Sequence, residues 1–282
     1  MAAVGLALLS ALLFGAMSVA LRLALQRESD VSLGTLATVA TALAVALVAV
    51  VAEAPSRGLH LGRAWPFALA GLLSPGAAQL LVTVAIRESG ASRVSMVFGT
   101  APLVSVTIAL VFLGEPVSVP LIVGAVLVVA GGMELGRERS RPQHLRRIGL
   151  LYAFAGATLF AIRDNLVRHL ATGGSPPPPA VAAAAALLGG GLLVVVWARR
   201  GVGRRWLPFV PAGLLFGGSY VALFEAYYRG RVTVVAPLVA MESLFGVLLS
   251  ALLLRRSELV GRRLVLGAVL IVAGGGLIGT IR

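Results

Sequence analysis

The chain contains no cysteine, which excludes disulfide bonds, thiolate metal sites and cysteine nucleophiles. It contains no lysine either, and because a P-loop and a Schiff base both require lysine, nucleotide-driven pumping and lysine chemistry are excluded. Charged residues are scarce, at 12% of the chain, whereas 59% of the residues are hydrophobic. Energy for any work must therefore come from solute gradients or from a partner.

The apolar residues occur in long runs. The mean hydropathy of +0.98 lies far above that of soluble domains, and runs of about 20 apolar residues fit membrane-spanning helices better than barrel strands of about ten alternating residues. We therefore predict an all-α, polytopic membrane protein with about ten transmembrane helices. The predicted spans are residues 4–25, 31–51, 65–86, 94–113, 117–135, 148–170, 180–198, 206–228, 232–254 and 260–281.

The net charge of +13 comes from arginines that stand in short clusters between the apolar runs. Such clusters are typical of membrane-flanking loops, so we expect the partner to be the lipid bilayer rather than nucleic acid. Most loop arginines follow the first, third, fifth, seventh and ninth spans, and by the positive-inside rule this distribution predicts that both termini face outward.

A segment near the middle of the chain recurs near its end. The sequence Gly-Ala-Val-Leu-Val-Val-Ala-Gly-Gly at residues 124–132 returns as Gly-Ala-Val-Leu-Ile-Val-Ala-Gly-Gly at residues 267–275. Glu115 and Glu258 are separated by the same interval. The chain therefore contains an internal repeat.

The repeat extends to the starts of the two halves, where Phe14 corresponds to Phe160. We expect one five-helix repeat at residues 1–140 and a second at 145–282. Because five is an odd number, the second repeat must enter the membrane in the opposite orientation. Inverted repeats are a recurrent architecture of secondary transporters, whose substrate site lies near the midplane between the repeats.

Both halves resemble the EamA domain of the drug/metabolite transporter superfamily. The resemblance is carried by Pro102-Leu103, Leu113-Gly114-Glu115 and 121–125 in the first half, and by Ala236-Pro237-Leu238, Met241-Glu242-Ser243-Leu244-Phe245, Ser257-Glu258 and Leu266-Gly267-Ala268 in the second.

The resemblance implies a multi-pass protein of the cell (inner) membrane that exports small metabolites such as amino acids. We expect no cofactor, and a monomer or homodimer. The resemblance also implies cytoplasmic termini, the reverse of what the arginines predict. The sequence departs from the family pattern at Phe245, where proline is common, and at Arg163-Asp164-Asn165, where apolar residues are usual.

Ionisable residues at membrane depth are costly, so each one needs a partner or a function. Glu242 lies near the centre of the ninth span with no basic residue close to it in sequence. A buried carboxyl group of this kind is suited to proton exchange, and an interhelical hydrogen bond that only stabilises the bundle is the alternative. Protons are therefore a candidate coupling ion.

Arg163 and Asp164 lie within the sixth span. Asp164 precedes Arg168 by four residues, so we expect these two to form an ion pair that leaves Arg163 over. Arg163 is then available to bind a substrate carboxylate or phosphate, to pair with Glu242, or to reach the interface. Glu225 precedes Arg229 by four residues, and we expect an ion pair there as well.

Other polar residues in the spans complete the candidate cavity. The full set of predicted substrate or coupling-ion residues is Glu242, Arg163, Asp164, Gln79, Tyr220 and Ser243. The three histidines have no metal-ligand spacing, so no metal site is expected.

Three functional hypotheses remain open at the level of sequence. The first is a secondary transporter, an exporter of small metabolites such as amino acids, that works by alternating access through a cavity between the repeats. The alternatives are an exchanger of phosphorylated or other organic anions and a lipid flippase. An enzyme is not expected, because no serine lies in a nucleophile elbow or beside a histidine.

Overall fold

The computed structural model describes residues 2–98, 101–114, 118–136, 147–198 and 204–253, together with residues 266, 267, 269–271, 273, 274 and 277. Within these ranges the regular structure is helical throughout. The helices are α1 (Ala2–Arg27), α2 (Val31–Arg57), α3 (Trp65–Gly71), α4 (Ala78–Ser89), α5 (Ala91–Phe98), α6 (Ala101–Phe112), α7 (Val119–Gly136), α8 (Arg147–Thr172), α9 (Pro179–Ala198), α10 (Val210–Arg229), α11 (Val232–Val239) and α12 (Glu242–Leu253).

Among the described residues, seven helical stretches are long and apolar enough to cross a membrane. They coincide with the predicted spans one, two, three, six, seven, eight and nine, and shorter apolar helices occupy the places of the fourth and fifth. Large apolar side chains such as Val51, Phe112 and Val196 are exposed, as a lipid-facing surface requires. Most of the predicted tenth span, the connection 137–146, Glu115 and Glu258 lie outside the described residues.

Two of the spans are broken near their middles. The third consists of α3, a π-helical segment Leu72–Ala77 and α4, and Ser74 within that segment has extended backbone angles just before Pro75. The ninth consists of α11 and α12, which are separated by Ala240 and Met241. Proline removes a backbone donor and obstructs the preceding turn, which explains the break at Pro75 and agrees with Pro237 lying shortly before the second break.

Helices α1 and α8 lie at the centre of the bundle. Helix α1 packs against α10 and α12, whereas α8 packs against α4 and α6. The rings of Phe14 on α1 and Phe160 on α8 meet edge to face with their centroids 5.7 Å apart. The two helices that begin the predicted halves therefore meet in the core.

Glycines allow the backbones of neighbouring helices to touch. A Cβ atom at Gly213 or Gly217 of α10 would overlap α2 near Thr41 and Val45, so these two glycines allow α10 and α2 to pack closely. Helices α3 and α9 approach more closely still, because a Cβ atom at Gly189 would collide with the backbone carbonyl of Ala68. The α3–α9 contact consequently depends on the absence of a side chain.

We expect Gly189→Ala to destabilise the protein by about 1–3 kcal/mol, because the added methyl group forces the backbones of α3 and α9 apart. Gly5→Ala is a matched control within a helix, since a Cβ atom at Gly5 would meet nothing within 4 Å. Thermal unfolding of the purified variants in detergent measures the difference. Equal unfolding temperatures for the two variants would contradict the close α3–α9 packing.

Candidate functional site

A small cavity lies at the centre of the bundle, beside the break between α11 and α12. The volume within which the centre of a water molecule fits is about 40 Å³. Because one water needs about 10–15 Å³ of this volume, the cavity holds a few waters at most. The wall of the cavity is formed by Ser10, Phe14, Phe98, Ala101, Ser105, Phe160, Ala161, Arg163, Asp164, Ser219, Tyr220, Leu223, Ala236, Val239, Ala240 and Glu242.

Arg163 is the most deeply buried cation of the described residues, with 1% of its surface exposed. Its guanidinium carbon lies 4.7 Å from the ring centre of Tyr220 and 5.1 Å from that of Phe160, so the cation is stabilised by aromatic faces. Its Nε and Nη1 atoms have no hydrogen-bond partner among the described residues. The Nη1 atom is therefore available as a donor to a ligand.

Asp164 neutralises part of this charge, since its Oδ1 atom lies 3.0 Å from Nε of Arg163. The contact is an ion pair without hydrogen-bond geometry, since neither of these two atoms forms a hydrogen bond within the described residues. The sequence predicted that Arg163 would be left without a partner, and this is wrong, because Asp164 lies against it. Nη1 of Arg168 donates to the Tyr227 carbonyl at the end of α10, at 2.8 Å.

Glu242 is the first residue of α12 and lines the same cavity with 6% of its surface exposed. The break in the ninth span places it at a helix N-terminus, where the helix dipole favours a negative charge. Gly15 of α1 packs directly on this turn, because a Cβ atom there would lie 2.9 Å from the Glu242 carbonyl oxygen. Glu242 also interacts electrostatically with Asp164 and Arg163.

Tyr220 connects the cavity to the other broken span. Its hydroxyl group donates to the Ser74 carbonyl oxygen at 2.7 Å, at the point where the third span loses helical geometry. Its ring stacks on Phe224 with a centroid distance of 5.0 Å. A movement of the third span would therefore reach Arg163 through the Tyr220 ring.

Two of the residues predicted for the cavity lie elsewhere. Gln79 is completely buried on α4, away from the cavity wall, and both polar atoms of its amide lack a partner among the described residues. Ser243 also lies outside the wall, and its hydroxyl group donates at 2.9 Å to the Ala240 carbonyl, which also accepts a hydrogen bond from the Ser243 backbone N–H. Its role in this structure is local.

The sequence did not single out the hydroxyl groups of Ser10 and Ser219, which lie 3.0 Å apart on the cavity wall. A signal for Ser10 was nonetheless present, since it precedes Phe14 by four residues and so shares its face of α1. Phe98 and Phe160 complete the aromatic wall with ring centres 5.6 Å apart. The cavity is thus an aromatic chamber with one cation and two carboxyl groups.

Comparison with known proteins agrees with the repeat found in the sequence. Residues 1–133 and 147–280 each match the EamA-like transporter family. No curated protein matches the chain. A solved structure titled only as the crystal structure of a protein has the same fold, with a TM-score of 0.75, 21% sequence identity, and coverage of 99% of this chain and 95% of the other.

Replacement of Asp164 by Asn tests the buried ion pair. We expect a loss of about 3–5 kcal/mol in stability, because the Arg163 guanidinium stays buried without its nearest counter-charge. The double variant Arg163→Met/Asp164→Asn should recover most of this loss, since it removes both charges. Thermal unfolding in detergent measures both effects. A single Asn variant as stable as the parent would show that Glu242 alone balances Arg163.

Proposed function

The chain belongs to the EamA-like transporter family and is a multi-pass membrane transporter of the drug/metabolite transporter superfamily, and we propose that it exports small zwitterionic metabolites, amino acids foremost, across the cell membrane. Members of this family are transporters rather than enzymes. The proposal rests on one observation: Arg163, whose Nη1 atom has no hydrogen-bond partner among the described residues, and Glu242 line the same aromatic cavity in the core.

An inverted repeat is supported by equivalent helix contacts. If the five spans of each half correspond in order, α1 corresponds to α8 and the third span to the eighth; α1 packs on α10 just as α8 packs on α4. The recurring glycine segments also make reciprocal contacts: a Cβ atom at Gly131 would meet the Gly267 carbonyl, and one at Gly274 would meet the Gly124 carbonyl. Such exchange of equivalent contacts is expected about a two-fold axis.

Alternating access is supported by the size of the cavity and by the broken spans. Sites that bury a small organic ligand usually enclose about 300–1,000 Å³, far more than this chamber offers. A substrate can enter only if the helices around the chamber separate. The interruptions at Ser74 and at Ala240 and Met241 lie next to the chamber, where hinge movements would open it.

The charges of the chamber favour a zwitterion over an anion. A substrate carboxylate suits Nη1 of Arg163, which has no hydrogen-bond partner among the described residues, and its ammonium group suits Glu242. The rings of Phe14, Phe98 and Phe160 offer an apolar wall to the remainder of the molecule. A phosphorylated anion would meet two carboxyl groups and a single cation, so an anion exchanger is less well supported.

Uptake by proteoliposomes tests the substrate class. We expect the purified protein to accumulate labelled neutral amino acids from a metabolite mixture above the level of protein-free liposomes. Unlabelled amino acids should compete with this uptake, whereas the corresponding amines and carboxylic acids, which each lack one charge, should compete poorly. Uptake confined to phosphate esters, or movement of labelled lipid between leaflets, would instead support one of the alternative functions.

Proton coupling through Glu242 makes a separate prediction. If Glu242 exchanges protons during transport, Glu242→Gln should fold normally, because the amide can still form hydrogen bonds, while transport loses its dependence on pH. Proteoliposome uptake at several external pH values, beside a thermal-unfolding control, measures this. A well-folded Gln variant that keeps the parental pH dependence would exclude coupling and leave Glu242 as a packing residue.

A further inference from the structure

A second and larger cavity opens at the C-terminal end of α10. This rim pocket is an open depression of about 610 Å³ and is lined by Arg57, His60, Pro176, Pro177, Pro178, Pro179, Glu225, Tyr228 and Arg229. Helix α10 connects it to the central chamber, since Tyr220 lines the chamber and Tyr228 lines the rim pocket. At 1.5 Å per residue, these two positions are only about 12 Å apart along the helix.

Aromatic side chains fill the space between the two cavities. Phe224 and Tyr227 of α10 are completely buried, and the ring of Phe67 on α3 lies 6.3 Å from both the Phe224 and the Tyr228 rings. A solute that moves from the rim pocket to the chamber must displace this layer. Separation of α10 from its neighbours would do so.

Glu225 ties α10 to α2 at this place. Its Oε1 atom accepts a hydrogen bond from Nη1 of Arg57 at 2.6 Å, and its Oε2 atom accepts one from Nε of Arg229 at 2.7 Å. The pairing with Arg229 is the one that the sequence predicted, and it is confirmed. The link to Arg57, 168 residues away in sequence, joins the first half of the chain to the second.

We propose that Glu225 is a latch that closes the rim pocket off from the central chamber, and that a carboxylate-bearing solute in the rim pocket opens it by replacing Glu225 on Arg57 and Arg229. This inference rests on the proposed transport function, because it identifies the rim pocket as the entry or exit site of the same pathway.

The chemistry of the rim pocket favours a carboxylate. Glu225 shows the geometry that a carboxylate adopts here, with one oxygen on each guanidinium. The side chains of Arg57 and Arg229 are 38% and 44% exposed, so a solute can reach them, whereas that of Glu225 is only 10% exposed. The proline run 176–179 and the Tyr228 ring provide an apolar surface for the body of the solute.

The opposite face supplies a matched control. There, Arg205 and Glu28 also join the two halves, with Nη1 and Oε2 3.4 Å apart. The Arg205 side chain is 83% exposed, so water screens this pair and its contribution is small. Loss of Glu28 and loss of Glu225 each remove an ion pair between the halves. Only the loss of Glu225 breaks a buried one.

The latch is tested with a thiol reporter. Because the chain has no cysteine, Ala161→Cys places a single thiol on the wall of the chamber. Its reaction with a membrane-impermeant methanethiosulfonate is followed in intact cells and in inside-out vesicles, each of which exposes one face. Neither preparation requires a known substrate, so a failure of the latch is distinguishable from a failure of the proposed transport.

In this background, Glu225→Gln should accelerate labelling about tenfold or more in one preparation only, since it removes the negative charge and leaves a single amide oxygen as acceptor for the two guanidinium groups. Glu28→Gln should change labelling by less than about twofold in both preparations. Acceleration by Glu225→Gln in both preparations would indicate general loosening, and no acceleration in either would show that Glu225 does not close the path; each result overturns the latch.

Replacement by a solute is tested with benzoate and its uncharged isostere benzamide, in the preparation that responds to Glu225→Gln and with gradients collapsed. Benzoate should accelerate labelling of the reporter when Glu225 is present and have no effect when it is Gln. Benzamide should have no effect in either protein. Equal effects of the two solutes, or no effect of benzoate, would overturn the carboxylate assignment of the rim pocket.

Discussion

Lipid cannot solvate a charge, and the arrangement of this bundle follows from that constraint. Arg163, Asp164 and Glu242 all lie at membrane depth, so they have to meet one another or water rather than hydrocarbon. The structure brings them to one chamber from two helices, with the Arg163 guanidinium between the Tyr220 and Phe160 rings. The same packing of helices therefore buries the three charged groups and forms the polar cavity.

The same constraint explains why irregular backbone lies where it does. A helix that is broken at membrane depth frees polar backbone groups, which have to be satisfied inside the protein. Tyr220 donates to the Ser74 carbonyl at the break in the third span, and Ser243 donates to the Ala240 carbonyl at the break in the ninth. Both breaks are thus stabilised by side chains next to the chamber.

Close backbone contacts hold the rest of the bundle around these breaks. Gly189 on α9 lies against α3, and Gly15 on α1 lies against the first turn of α12. Between helices that share an apolar solvent, such packing replaces the hydrophobic effect as the main source of association. The rigid contacts next to the broken spans limit movement to a few positions, which suits a chamber that opens to one side at a time.

The membrane-spanning helices and the two related halves could be predicted from the sequence, because both depend on the order of residues along short segments. Apolar runs determine where helices cross lipid, and the recurrence of the segment 124–132 at 267–275 indicated two related halves. The ion pair between Glu225 and Arg229 was predictable for the same reason, since side chains four residues apart on a helix are neighbours.

Contacts between distant segments could not be predicted in this way. Asp164 lies against Arg163, its neighbour in sequence, and Arg168 reaches the Tyr227 carbonyl of another helix. Gln79 and Ser243 are polar residues of the spans like Tyr220, but helix rotation turns them away from the chamber. Hydropathy and spacing thus determined that this chain spans a membrane as two similar halves, whereas only tertiary packing decided which charges share a chamber, because the rotation of each helix is set by its neighbours.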